Sequence, residues 1–129
     1  MILGIGIDIV DNRRIKKTLR QFGNKFKEKC FLKNEIIISE GRYNQANTLA
    51  KRYAAKEACA KALGTGLAKG VFWKDIEVLN DSYGKPQIKL YNNALKIINK
   101  LSKSKFKIEV SLSDEKNYSI ANVIIHKNE

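Results

Sequence analysis

The chain opens on a strict alternation of apolar and small positions. From Ile2 to Val10, Leu3, Ile5, Ile7 and Ile9 fall on one side of an extended segment, and Ile2, Gly4, Gly6 and Asp8 on the other. This is the two-residue period of a β-strand. The isoleucine side reads as core. The glycine side is nearly bare, so another backbone or a ligand can approach it closely, with Asp8 at its end. Asp11 or Asn12 can cap a helix in which Ile15, Leu19 and Phe22 keep helical spacing while Arg13, Arg14, Lys16, Lys17 and Arg20 point elsewhere. Two short helical stretches are expected around 24–30 and 33–40, then a long helix over about 42–63. Phe72 to Leu79 is β-prone, Gly84-Lys85-Pro86 is a turn, and Gln87 to Tyr91 is a short strand. Leu95, Ile98 and Leu101 predict a helix from Asn92 to Lys103. Phe106 to Leu112 and Tyr118 to His126 predict a closing hairpin around residues 113–117. Together these elements predict an α+β fold, a mostly antiparallel sheet with helices packed on one side, in a single domain over 1–129.

The long helix carries an unusual face. At about 100° per residue, Ala46, Ala50, Tyr53, Ala54, Glu57 and Lys61 line up, which places a carboxylate and an ammonium in a stripe of mostly small side chains. A purely structural helix would put larger apolar residues there. Glu57 and Lys61 also have the i,i+4 spacing of an ordinary exposed helix pair, worth only a few tenths of a kcal/mol. Asp8 on the bared strand and Glu57 on the alanine-rich helix could share one hard cation. Mg²⁺ takes oxygen ligands, often one or two carboxylates with water and substrate phosphates. Arg52, Lys56 and Lys61 surround Glu57, and Gly64-Thr65-Gly66 follows, whose backbone amides could approach an anion. Metal, cations and glycine loop describe a phosphate or pyrophosphate site. Neither a GxxxxGK[ST] nor a GxGxxG fingerprint is present.

Composition narrows the partners. The net charge is +12, and nine basic side chains against Asp11 and Glu28 lie between residues 11 and 33, seven of those twelve charges. Such a patch attracts something acidic: nucleic acid, an anionic membrane or an acidic protein. Lysines make up most of the basic residues, so the five arginines, at 13, 14, 20, 42 and 52, are the more informative positions. No apolar run approaches a membrane span, and no signal-peptide pattern is present at the amino terminus. Cys30 and Cys59 match no metal spacing and read as reduced thiols, so a cytoplasmic location is expected.

Four motifs stand in a telling order: Gly4-Ile-Gly-Ile-Asp-Ile-Val10, Lys56-Glu-Ala58 running on through Lys61-Ala-Leu-Gly-Thr-Gly66, Gly84-Lys-Pro86, and Val110-Ser-Leu-Ser113 before Tyr118. In these the chain resembles the holo-acyl-carrier-protein synthases, short single-repeat 4′-phosphopantetheinyl transferases, over essentially its whole length. The resemblance implies a Mg²⁺-dependent transfer of 4′-phosphopantetheine from coenzyme A to a serine of apo acyl carrier protein, releasing adenosine 3′,5′-bisphosphate, in fatty acid biosynthesis. It implies Asp8 and Glu57 as Mg²⁺ ligands, with Glu57 and Lys61 catalytic and Lys61 on the pyrophosphate. Arg52 matches a cation near the 3′-phosphate, and Gly64, Thr65, Gly66, Lys85 and Pro86 fall in segments lining the coenzyme A site. Arg14 matches the main contact to the acidic carrier protein, with Trp73 an aromatic in that docking. A homotrimer is implied, each site lying between two subunits, with Asp8 from one and Glu57 from its neighbour; a neighbour would then fill the bare face at Gly4 and Gly6. Asp114 departs from the family's histidine; an acid there would repel phosphates unless it turns away or is offset by Lys116, and no role is assigned to it. His126 reads as a surface residue. The general base is open between Glu57 itself and a metal-bound water that it orients.

The alternative is a small basic nucleic-acid-binding domain using the 11–33 patch. Aromatics are not interleaved with those basic residues as stacking would require, so nucleic acid is not expected as a partner. A purely structural oligomer-forming module leaves Asp8 and Glu57 unexplained.

Overall fold

In the computed structural model, which describes residues 1–127, the elements follow one another as β1 (Ile2–Asp11), α1 (Asn12–Phe22), α2 (Asn24–Cys30), α3 (Lys33–Glu40) and α4 (Gln45–Ala62). A 3-10 turn (Trp73–Asp75) leads into β2 (Ile76–Asn80), β3 (Pro86–Leu90), α5 (Asn92–Ser102), β4 (Phe106–Asp114) and β5 (Tyr118–Lys127). The fold is α+β as expected, but the strands form two antiparallel sheets: β1-β5-β4, and the hairpin β2-β3. In the larger sheet β5 is central. Gly4 lies opposite Ile125, Gly6 opposite Val123 and Asp8 opposite Ala121.

Helix α4 crosses one face of that sheet, and β1 takes the opposite orientation to the expected one. The isoleucine side faces outward: Ile5 and Ile7 are 61% exposed and Ile9 62%. The bare side is the buried one. A Cβ added at Gly4 would stand 1.8 Å from the Ala62 carbonyl oxygen, and one at Gly6 1.8 Å from that of Ala58. The period of two defines two faces without saying which is inside. Here the missing side chains decide, because they let the strand backbone lie directly on a helix of small residues. The bare face is therefore filled by α4 of the same chain, and not by a neighbour.

Leu49, Ala50, Ala54, Ala55, Ala58, Cys59 and Ala60 of α4 are all fully buried, since the helix meets β1, β5, α1, α3 and β2 around its circumference. A helix enclosed on most sides needs no single apolar stripe. It begins at Gln45, three residues later than expected, because the Asn44 side chain caps it by accepting from the Asn47 N–H at 3.0 Å. Strand β2 likewise starts at Ile76 and not at Phe72. The Asp75 carboxylate accepts the Phe72 N–H at 3.0 Å and curls residues 73–75 into the 3-10 turn.

Lys56 departs furthest from expectation. It does not stand with the cations around Glu57 but is wholly buried on another side of α4, 2.7 Å from the equally buried Glu35 of α3. Successive helix positions diverge by about 100°, so neighbours in sequence can serve different surroundings.

Candidate active site

Strand β1 and helix α4 of one chain bring Asp8 and Glu57 together, where carboxylates from two subunits had been expected. Asp8 is the next inward residue after Gly4 and Gly6, so the glycines that seat the strand on α4 also carry its carboxylate to the helix. Lys61 does not pair with Glu57 along the helix. Its ammonium reaches across to Asp8 Oδ1 at 3.2 Å and donates to the Ile7 carbonyl at 3.0 Å. The Glu57 carboxyl is pushed above its ordinary pKa, first by partial burial and then by the Asp8 charge, while Lys61 pulls the other way.

Two mutually repelling carboxylates with a single ammonium between them suit a hard divalent cation. Among the described residues no group of three or more His, Cys, Asp or Glu is gathered. The protein thus offers oxygen donors for only part of a shell, which is how Mg²⁺ is commonly held when water and phosphate oxygens complete it. The donor set fits.

An aromatic wall flanks this centre. Tyr53 stacks on Trp73 with ring centroids 6.1 Å apart and also meets Phe26 at 6.2 Å. Lys29 lies over the Trp73 ring at 5.7 Å. The Tyr53 phenol is raised, chiefly by burial and then by Glu57, while the exposed Arg14 of α1 acts on it in the opposite sense. Arg14 therefore borders the same centre. Trp73 Nε1 is buried without a hydrogen-bond partner.

A second, basic cleft of about 190 Å³ lies toward the amino end of α4 and on another of its sides, lined by Arg42, Thr48, Lys51 and Arg52 with Asn80 and Pro86. Arg52 is only 5% exposed. One of its terminal nitrogens donates to Asn80 Oδ1 at 2.9 Å, yet its Nε is buried with no partner. Burial lowers its pKa. A buried guanidinium with a spare donor, beside another arginine and a lysine, suits an anion with several acceptor oxygens.

A family model of the 4′-phosphopantetheinyl transferase superfamily matches residues 4–123. The chain belongs to that superfamily. A holo-[acyl-carrier-protein] synthase of Rhizobium meliloti (strain 1021) is 57% identical over 94 residues, 73% of this chain and 68% of that protein. The crystal structure of the synthase from Neisseria meningitidis superposes with a TM-score of 0.86 at 36% identity, covering 98% of this chain and all of the other. The Helicobacter pylori synthase, solved in complex with coenzyme A, gives 0.82 at 30% identity, covering 95% of this chain and 99% of its own. With the superfamily known, the nucleic-acid alternative and the structural module lose their basis.

The remaining site residues of this transferase are placed as follows. The N–H groups of Gly64, Thr65 and Gly66 donate to the Lys61 and Ala60 carbonyls at 3.0–3.2 Å, so they close α4 and do not face an anion. The left-handed φ values of Gly64 (+84°) and Gly66 (+60°) make that closure possible. Pro86 joins Arg52 in the basic cleft, whereas Lys85 faces a neighbouring depression with Glu109, Ser111 and Asn122. Asp114 is offset by Lys51 at 3.6 Å, not by Lys116, and accepts from Asn47 at 3.4 Å. His126 is partly exposed, 3.5 Å from Glu109. Arg42, Thr48 and Lys51 were not expected in the cleft. Arg42 had a signal, as one of five arginines in a lysine-rich chain; Thr48 and Lys51 belong to no motif.

Proposed function

We infer that this chain is a holo-[acyl-carrier-protein] synthase, transferring 4′-phosphopantetheine from coenzyme A to a serine of apo acyl carrier protein. The observation that carries this is the Asp8–Glu57 centre, held by the glycine-seated strand within reach of Lys61. The pyrophosphate of coenzyme A suits that centre, and its 3′-phosphate suits Arg52, Arg42 and Lys51 of the basic cleft, which lies on another side of α4 and which a neighbouring copy in a trimer can supply. Gly64, Thr65, Gly66 and Pro86 contribute shape to the surrounding segments, and Lys85 a cation at their edge.

Asp8 and Glu57 are the residues to hold Mg²⁺, which when bound supplies charge neutralisation at the pyrophosphate. The serine oxygen attacks the β-phosphorus in line, the bond from that phosphorus to the bridging oxygen breaks, and adenosine 3′,5′-bisphosphate leaves. Lys61 neutralises charge on the departing phosphate. Glu57 accepts the serine proton or orients the water that takes it. Arg14 receives the acidic carrier beside the Tyr53–Trp73 wall, and a docked carrier holds its serine loop in place, which replaces a bimolecular encounter by an oriented one. A coenzyme A thioester bearing a fluorophore tests this: its label should move onto the carrier protein with Mg²⁺ present and stay in solution with EDTA. Label that remains in solution under both conditions contradicts the assignment.

The assembly we propose is a homotrimer, supported by the outward face of the larger sheet. There Ile5, Ile7, Ile9 and Ile120 make an exposed apolar strip, with Ile9 paired opposite Ile120, the kind of surface that marks a protein–protein contact. The wild type should sediment as a trimer and Ile7→Lys as a monomer; a monomeric wild type contradicts the trimer, and a trimeric variant contradicts the use of this face. No helix among the described residues is long and apolar enough to cross a membrane.

A further inference from the structure

The buried ion pair beneath the site has a role that stability alone does not explain. Lys56 Nζ has three protons and three acceptors: Glu35 Oε1 at 2.7 Å, the Trp73 carbonyl at 3.0 Å and the Ile76 carbonyl. The Glu35 carboxylate also accepts the Leu32 N–H at 2.9 Å and the Val78 N–H at 3.0 Å. Every polar group is satisfied, and α3, α4, the 3-10 turn and β2 meet at one point. Well-packed apolar residues of similar volume commonly serve stability as well as a buried pair does. What apolar residues cannot do is fix directions, and here the directions matter. Lys56 directly precedes Glu57, so anchoring its ammonium sets the rotation of α4 that aims Glu57 at Asp8. The same ammonium anchors the backbone of Trp73, whose ring stacks on Tyr53, one helical turn before Glu57.

We propose that Glu35 and Lys56 are positioning residues for the transfer: their pair fixes Trp73 against Tyr53 and fixes the turn of α4 that carries Glu57. The inference rests on the reading of Glu57 as a ligand and catalytic group. It gives the Lys56-Glu57 dipeptide two coupled tasks, one residue holding the scaffold and the next working in the site.

The test is the double variant Glu35→Gln/Lys56→Gln, which leaves no buried charge and keeps similar volumes. Trp73 is the only tryptophan, so its emission reports this wall without ambiguity, and it is read in metal-free protein. The variant should fold cooperatively, with Trp73 emission shifted to the red and more readily quenched by acrylamide. With Mg²⁺, kcat should fall about tenfold or more while KM for coenzyme A stays within about twofold, since small misplacements near reacting groups cost rate before binding. Unchanged Trp73 emission, or an unchanged kcat once Trp73 has moved, overturns the proposal. Should that double variant fail to fold, Glu35→Leu/Lys56→Met, apolar and of similar volume, provides the second arm: red-shifted Trp73 emission with a clear loss of kcat supports the positioning role, and wild-type values of either overturn it. A folded wild type without transfer activity would overturn the proposed function itself and this inference with it. An active wild type beside an unaffected variant overturns the inference alone.

Discussion

Gly6→Ala is the sharpest perturbation of this architecture because the added atom has nowhere to go. Its Cβ would stand 1.8 Å from the Ala58 carbonyl oxygen, 2.8 Å from the carbonyl carbon and 2.9 Å from the Ala62 nitrogen, all backbone atoms of α4. A rotamer change relieves none of these contacts, so strand and helix must part by more than about 1 Å to restore ordinary van der Waals distances. Overpacking of this kind costs roughly 1–3 kcal/mol. In a chain of this size each kcal/mol lowers the melting temperature by about 3–6 °C, so a fall of about 10 °C is expected. The chemical effect should be larger than the thermal one. Asp8 is the next inward residue on the same strand, and lifting β1 draws its carboxylate away from Glu57 and Lys61. Thermal unfolding with and without Mg²⁺ and coenzyme A reads both effects. The variant should melt lower in buffer and lose most of the ligand-induced rise. A variant that melts within about 1 °C of wild type and keeps the full rise would refute the close-packing argument, since no overpacked glycine is that cheap.

Three further outcomes follow from the same geometry. The raised Glu57 pKa means that the folded, metal-free state binds its proton more tightly than the unfolded one, so this group's effect on stability turns unfavourable as pH rises from its ordinary 4.5 through the raised value. Glu57→Gln should therefore stabilise metal-free protein at neutral pH, have little effect below the ordinary value, and abolish transfer; melting curves across pH check the sign. Arg14→Glu should raise KM for the carrier protein far more than KM for coenzyme A in steady-state kinetics, an equal rise in both pointing to misfolding. Arg52→Ala should lose about tenfold or more of the preference for coenzyme A over dephospho-coenzyme A, the scale of a lost charge-assisted hydrogen bond, as measured by calorimetry.

The parts of this molecule that were legible in the sequence are those written in local patterns. The closing hairpin could be read because two β-prone runs flank the polar turn at 113–117; in β5, Ser119, Ala121, Val123 and Ile125 are buried between exposed or half-buried neighbours. Asp8, Glu57 and Lys61 could be singled out because a carboxylate after two glycines and a charge pair on an alanine face are poor choices for mere packing. Polarity of a face was harder. Isoleucines at Ile5, Ile7 and Ile9 outweighed glycines in the hydrophobic count, yet close backbone contact decided which side of β1 went inside. Lys56 was misplaced for a related reason: α4 is enclosed around its circumference, so no apolar stripe marks its inner side, and the partner that explains Lys56 is Glu35, 21 residues away in another helix. The basic cleft draws on Arg42, Lys51, Arg52 and Pro86, which only the packing of α4 beside the β2-β3 turn brings together.

The central claim is that Asp8 and Glu57 of one chain form the centre at which phosphopantetheine is transferred. Intact-mass analysis of apo acyl carrier protein incubated with this protein, coenzyme A and Mg²⁺ tests it most directly. Addition of one phosphopantetheine, abolished both by EDTA and by Asp8→Ala, is the expected result. An unmodified carrier mass from folded wild-type protein, or full modification by the Asp8→Ala variant, would contradict the account.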